Sequence, residues 1–370
     1  MRIDWLARAV PQASALYPYV PGKPIEVLLR EKGLSHAVKL ASNENPYGPS
    51  PKAVEAIRKA AGEVHRYPDG DAGALKAAIA AFHQLPADRI IVGNGSNEVL
   101  ELIIRTFAGP GDEVVYSWRG FIVYALAAQA AGATGVAVPE ADGLTHDLQA
   151  MAQAVNEKTK VVCIANPNNP TGTLLDLTSL QGFLDLLPRD VVVILDEAYY
   201  EFVADELGDS LTTLTHPGLV VSRTFSKAYG LAGCRIGYAV ADAAIAALIN
   251  RFREPFNVSL PAQAAAIAAL ADGEWVRARV ADTLVERDRM EAVLQQLQVY
   301  GGHSHGNFVL LRHAGSRQIA ASLEDRGIIP RPLAGYGMAD YLRISVGTAA
   351  ENDAFIAAMQ DILAAMESRS

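Results

Sequence analysis

Cysteine is scarce in this chain: 370 residues contain Cys163 and Cys234 and no C-x-x-C pair. That excludes a disulfide-stapled scaffold and a cysteine-rich zinc site. Both thiols sit in apolar, strand-like stretches and are expected to be buried and reduced. No apolar run approaches the ~20 residues that span a bilayer. The opening MRIDWLARAV is interrupted by Arg2, Asp4 and Arg8, so no signal-peptide core is expected and the protein reads as cytoplasmic. Positive charge is also short, with 32 Lys and Arg against 41 Asp and Glu and a net charge of −9. Nucleic acid is therefore not an expected partner, because non-specific binding to phosphate backbones needs a basic footprint. A local basic pocket for a small anion is compatible with that balance.

What is present is an enzyme-like composition, 50% hydrophobic and 20% charged. The length exceeds what one core usually serves, so two domains are expected. The runs 90–93, 113–116, 161–165, 191–195, 219–222 and 236–240 are almost continuously apolar, as strands covered on both faces are. Helical stretches at 98–107, 122–131 and 177–187 lie between them. The alternation predicts an α/β fold with a large, mainly parallel sheet. After 255–261 the pattern changes to one long helical stretch, 262–298, strand candidates at 307–311 and 341–346, and a closing helix at 351–366. We read 40–258 as a large ligand-binding domain, and 1–39 with 259–370 as a smaller α+β domain.

Four motifs fall at the C-terminal ends of predicted strands, the edge where open α/β sheets bind ligands. Gly93-Asn94-Gly95-Ser96-Asn97-Glu98 opens a helix whose free N–H groups suit a phosphate, though an ordinary capped turn reads the same way. It is not G-x-G-x-x-G, so no dinucleotide fingerprint is present. Asn166-Pro167-Asn168-Asn169-Pro170-Thr171-Gly172 is a stiff loop able to aim an amide at a ligand, or simply a well-made turn. Asp196-Glu197-Ala198-Tyr199 puts a carboxylate at the end of a buried strand, where it needs a cationic partner unless it caps a helix. Ser222-Arg223-Thr224-Phe225-Ser226-Lys227, with Arg235 beyond it, gathers two hydroxyls, a guanidinium and an amine. Burial beside positive charge would lower that lysine's pKa and make it a nucleophile. A phosphate cradle, a buried acid, a phenol, an amide and an amine together are the set that pyridoxal phosphate requires.

The order of these motifs resembles that of the fold-type I pyridoxal-phosphate-dependent aminotransferases, and among them the histidinol-phosphate aminotransferases. The likeness runs through PYVPGKP, ASNENPYG, RYPDG, GNGS, NNPTG, DEAYYE, RTFSKAYGLAG, REPFN and LRISVGT. It implies Lys227 as the covalent anchor of the cofactor, Asp196 at the pyridinium nitrogen, and Tyr199 and Asn169 at the ring oxygen. Ser96, Asn97, Thr224, Ser226 and Arg235 would hold the cofactor phosphate. Tyr67 would reach that phosphate from a partner subunit, which implies a homodimer with shared sites. Phe121 matches the ring-stacking position, but the Pro-Ser/Thr pair that precedes it in the family is replaced by Trp118-Arg119-Gly120, which makes Trp118 a rival. Arg343 matches the arginine for the substrate's anionic group. Arg331 and Tyr19 match further phosphate contacts, and Asn43 is a substrate-side candidate that equally suits a turn. The implied reaction passes an amino group between L-histidinol phosphate and 2-oxoglutarate, giving imidazole-acetol phosphate and glutamate. An aromatic amino acid aminotransferase on the same scaffold is the alternative. His303-Ser304-His305 is read as a loop before a strand and not as a metal site, and no metal is expected.

Overall fold

A computed structural model describes residues 3–16 and 22–368. The apolar runs form strands β2 (Ile90–Gly93), β3 (Glu113–Ser117), β5 (Thr159–Ala165), β6 (Val192–Asp196), β7 (Leu219–Thr224) and β8 (Gly237–Val240). A strand absent from the sequence reading, β4 (Thr134–Val138), completes a sheet of order β2-β8-β7-β6-β5-β3-β4. β8 is antiparallel to both its neighbours, and the rest of the sheet shares one direction. β5, β6 and β7 are buried almost throughout because helices cover both faces, which is why they read as unbroken Val, Ile and Leu. β4 lies at the edge with largely exposed residues, so its sequence carries no such signal.

The remaining strands are short. β9 (Phe308–Arg312) and β12 (Tyr341–Ser345) pair antiparallel, β11 (Arg331–Pro332) adds to β12, and β1 (Val38–Lys39) pairs in parallel with β10 (Ile328–Ile329). Val38 and Lys39 are thus tied to the C-terminal part of the chain, whereas helix Pro11–Ala15 packs on helix Val123–Ala131 of the large sheet. The closing helix runs Ala349–Glu367 and starts on a capping box between Thr348 and Glu351.

The long helix expected over 262–298 is two, Leu260–Leu270 and Gly273–Gln296, broken at Ala271-Asp272. The first packs Ala262, Ala265, Ala266 and Ala269 against Ala53, Leu75 and Ile79, within the core beneath the large sheet. Helix Gly273–Gln296 then crosses from that core, through Val276 and Val280, to the smaller one, through Met290 and Leu294. The chain after 258 thus contributes to both cores. Cys163 is buried in β5, whereas Cys234 lies in a half-buried turn and not in a strand.

Candidate active site

One edge of the large sheet collects the ends of β2, β3, β5, β6 and β7, and the start of the reversed strand β8. Reversal is what brings Arg235, two residues before β8, to the same edge as Thr224 at the end of β7. The cavity there measures about 360 Å³ and is closed from the other side by Arg331, Tyr336 and Arg343. Of the residues singled out from sequence, Asn43, Ser96, Asn97, Phe121, Asn169, Asp196, Tyr199, Thr224, Ser226, Lys227, Arg235, Arg331 and Arg343 all line it. Tyr67 does not; it is 81% exposed and stacks on Phe256 with centroids 4.7 Å apart, outside this cavity. Tyr19 lies outside the described residues. Trp118 is 52% exposed and does not line the cavity, whereas Phe121 does.

At the phosphate-like end, helix Ser96–Phe107 begins behind Gly95, whose φ of +84° suits glycine. A Cβ at Gly95 would also lie 2.3 Å from Arg235 Nη2, so glycine is what lets the guanidinium approach this helix start. Arg235 Nη1 donates to Ser226 Oγ (3.4 Å), and the Ser226 N–H donates to Thr224 Oγ1 (3.1 Å). Free N–H groups, hydroxyls and a cation converge at one point, an arrangement fit for a phosphate monoester.

At the floor, Asp196 is the last residue of β6 and does not cap a helix. The Tyr124 hydroxyl donates to its Oδ2 at 2.8 Å, while buried Oδ1 makes no hydrogen bond among the described residues. Burial pushes the Asp196 carboxyl up to about 6, although Tyr124 and the Ala198 N–H pull the other way. A buried carboxylate oxygen left unpaired costs several kcal/mol, so the pocket is built for a cation at Oδ1. A protonated pyridine nitrogen meets that need. Tyr124 was not singled out from sequence. Its signal is a phenol three residues after Phe121 on helix Val123–Ala131, and its partner lies 72 positions away.

Lys227 Nζ donates to the Ser42 carbonyl (3.0 Å) and lies 5.8 Å from the Tyr199 ring centre. Burial first, then the Arg343 guanidinium, lowers this amine to about 7. Tyr199 is pushed up to about 12 by burial, so it is a phenol throughout the working range. Its oxygen accepts from Asn43 Nδ2 (2.8 Å), leaving its own O–H to donate. Asn43 is held in turn by Ser345 Oγ and by Asn307, and its φ of +52° marks a forced turn. It is thus both a turn former and a cavity residue. Asn169 Oδ1 accepts from Arg343 Nη1, which leaves the Nδ2 end of the amide as its donor. Arg343 Nη2 donates to the Ala41 carbonyl (2.8 Å).

Behind the site, Arg223 is buried against Glu197 (2.8 Å) and over the Tyr200 ring (3.5 Å), a structural ion pair away from the cavity. His303 Nδ1 is 2.7 Å from Glu291 and His305 Nδ1 is 3.3 Å from Glu206, so each imidazole of the H-x-H loop has its own carboxylate. Among the described residues no cluster of metal-ligating side chains occurs, and no helix is long and apolar enough to cross a membrane.

Residues 35–359 match the family described as aminotransferase class I and II. The chain is 48% identical to histidinol-phosphate aminotransferase of Methylobacillus flagellatus, over 94% of this chain and 95% of the relative. It is 47% identical to histidinol-phosphate aminotransferase 2 of Pseudomonas aeruginosa, over 98% and 99%. The solved histidinol-phosphate aminotransferase of Sinorhizobium meliloti, in complex with pyridoxal-5′-phosphate, superposes with a TM-score of 0.90 at 31% identity, covering 97% of this chain and 98% of that one. With an orphaned acid, a lowered lysine and a phosphate cradle in one cavity, the chain belongs to the pyridoxal-phosphate-dependent class I and II aminotransferases, in the branch of the histidinol-phosphate aminotransferases.

Proposed function

We propose that this protein moves the amino group of L-histidinol phosphate to 2-oxoglutarate, giving imidazole-acetol phosphate and glutamate, as a cytoplasmic enzyme of histidine biosynthesis. The observation that carries the choice of donor is the pairing of β11 with β12, which sets Arg331 directly opposite Arg343, both on the cavity. Like charges opposite one another destabilise a sheet, and a dianion within reach of both relieves that cost. A phosphate monoester supplies nearly two negative charges where a carboxylate supplies one.

Residues 40–258 would hold the cofactor, and 1–39 with 259–370 would carry the substrate-side arginines. Asp196 Oδ1 would hold the proton on the ring nitrogen, with Tyr124 fixing the carboxylate from behind. Tyr199 and the Asn169 amide would donate to the ring oxygen. Phe121 would cover one ring face, since a flat ring suits an aromatic neighbour. The N–H groups of Ser96 and Asn97, with Thr224, Ser226 and Arg235, would hold the phosphate. When bound, the cofactor supplies an electron sink for the pair left as the α-proton of the donor departs. Lys227 Nζ, neutral above about pH 7, accepts that proton, and in the second half of the cycle delivers one to the α-carbon of the nascent glutamate. Arg343 orients the anionic group of either substrate and Arg331 adds the second charge, with Tyr19 as a further phosphate contact. Exposed Tyr67, on a patch with Val64 and Phe256, would reach the cofactor phosphate of a second copy, making the homodimer the working unit.

Replacing Arg331 with alanine tests the donor. Loss of one charge-assisted contact should raise KM for histidinol phosphate roughly 10- to 100-fold. KM for phenylalanine, which lacks the phosphate, should hardly move. A wild-type enzyme that prefers phenylalanine, or an equal effect on both donors, would sink the assignment.

A further inference from the structure

Trp118 and Gly337 have no part in the chemistry above, yet they touch. We infer that Trp118 and Gly337 form a clasp across the mouth of the cavity, which fixes Tyr336 as an aromatic wall against the donor's side chain and thereby favours a flat-ringed amine.

Trp118 follows β3, three residues before the cavity residue Phe121, and Gly337 follows Tyr336 at the end of a short turn, Ala334–Tyr336. The six-membered ring of Trp118 lies flush on Gly337: a Cβ there would sit 3.0 Å from both Cζ2 and Cη2. Gly337 has a φ of +68°, so its backbone too suits glycine. Arg119 Nη2 also donates to the Gly337 carbonyl, at 3.5 Å.

The Trp118 side is rigidly held. The Arg119 guanidinium donates to the Gly143 carbonyl and its N–H to Glu140, while its own carbonyl accepts from Asn168 Nδ2 (3.0 Å). The Gly337 side is anchored by buried Leu333 and Met338, packed with Leu144. Tyr336 sits between these anchors and lines the cavity. Trp118 is half exposed, so it adds little to the core. Its ring lies between Gly337 and the Arg119 guanidinium, which is 5.6 Å from the ring centre and itself donates to the Gly337 carbonyl. A positioning role accounts for that placement. An aromatic wall discriminates between a donor carrying an imidazole and glutamate, which has no ring to offer it.

The inference rests on the donor proposed above. It is tested with full-length, cofactor-loaded enzyme, following the absorbance of the lysine-bound cofactor in each half-reaction separately. For Trp118→Ala, kcat/KM with histidinol phosphate should fall about three- to tenfold through KM, and with glutamate less than about twofold. Cofactor retention should be unchanged, and Trp118→Phe should recover most of the loss. Gly337→Ala should reproduce the selective loss and be non-additive with Trp118→Ala, as a shared contact requires. Equal losses in both half-reactions, full additivity, or release of cofactor from Trp118→Ala would overturn the clasp. If the unmutated enzyme ignores histidinol phosphate but accepts phenylalanine, the donor reading fails. The same comparison of phenylalanine with glutamate then decides the clasp.

Discussion

Lys227→Ala is expected to lower turnover by about 10⁴-fold, since in the proposed mechanism it would remove both the cofactor's covalent anchor and the base that moves the α-proton. The absorbance band of lysine-bound cofactor should vanish with it. The fold should survive, because among the described residues the amine makes one hydrogen bond, to the Ser42 carbonyl, and its burial is a cost. The same residue predicts a pH dependence. Its amine is lowered to about 7 by burial and by Arg343, so the neutral, nucleophilic form grows in as pH rises through that value. Covalent capture of cofactor by the empty enzyme should therefore speed up between about pH 6 and 8 and then level off, where an ordinary lysine would keep gaining to about pH 10. Near-normal turnover in Lys227→Ala would remove the residue from the mechanism.

Asp196→Asn should cost about 10²- to 10⁴-fold in turnover, the equivalent of removing one partner of a buried charge pair. It should also make the cofactor-free protein more stable. The sign follows from the acid's raised pKa, about 6 against an ordinary 3.8. The folded state holds this proton more tightly than the unfolded chain, so stability drops as pH climbs from about 4 to about 6 and stays lower above that. At neutral pH the buried carboxylate burdens the empty protein by roughly 3 kcal/mol, and the amide removes that burden. Thermal melts of both proteins without cofactor, beside their turnover with it, measure the two effects. Lost activity combined with a higher Tm marks a residue strained for its task, whereas lost activity with a lower Tm would make Asp196 a structural residue.

Much of this was legible in the sequence because the chemistry clusters locally. Lys227, Thr224 and Ser226 sit within four residues, and Asp196 ends a run whose apolar character alone announces a buried strand. What escaped depends on contacts distant in the chain. Tyr124 matters only because helix Val123–Ala131, packed on β3 and β4, brings its hydroxyl to Asp196 at the end of β6, and Arg331 faces Arg343 only through the register of β11 on β12. Strand β4 was missed because an edge strand with one glycine and exposed faces has little hydrophobic signature. The break at Ala271-Asp272 is marked by the turn dipeptide Asp272-Gly273, but helix-forming sequence on both sides, alanine-rich before it and charged after it, masks that signal. Trp118 is a ring-stacking candidate in sequence because the segment departs from the family's pattern, whereas the structure turns it toward Gly337.

The account stands most directly on a single-turnover measurement with the cofactor-loaded enzyme. Histidinol phosphate added without an acceptor should discharge the absorbance of lysine-bound cofactor, and 2-oxoglutarate should then restore it with one equivalent of glutamate formed per site. Persistence of the band with histidinol phosphate, while phenylalanine discharges it readily, would contradict the account.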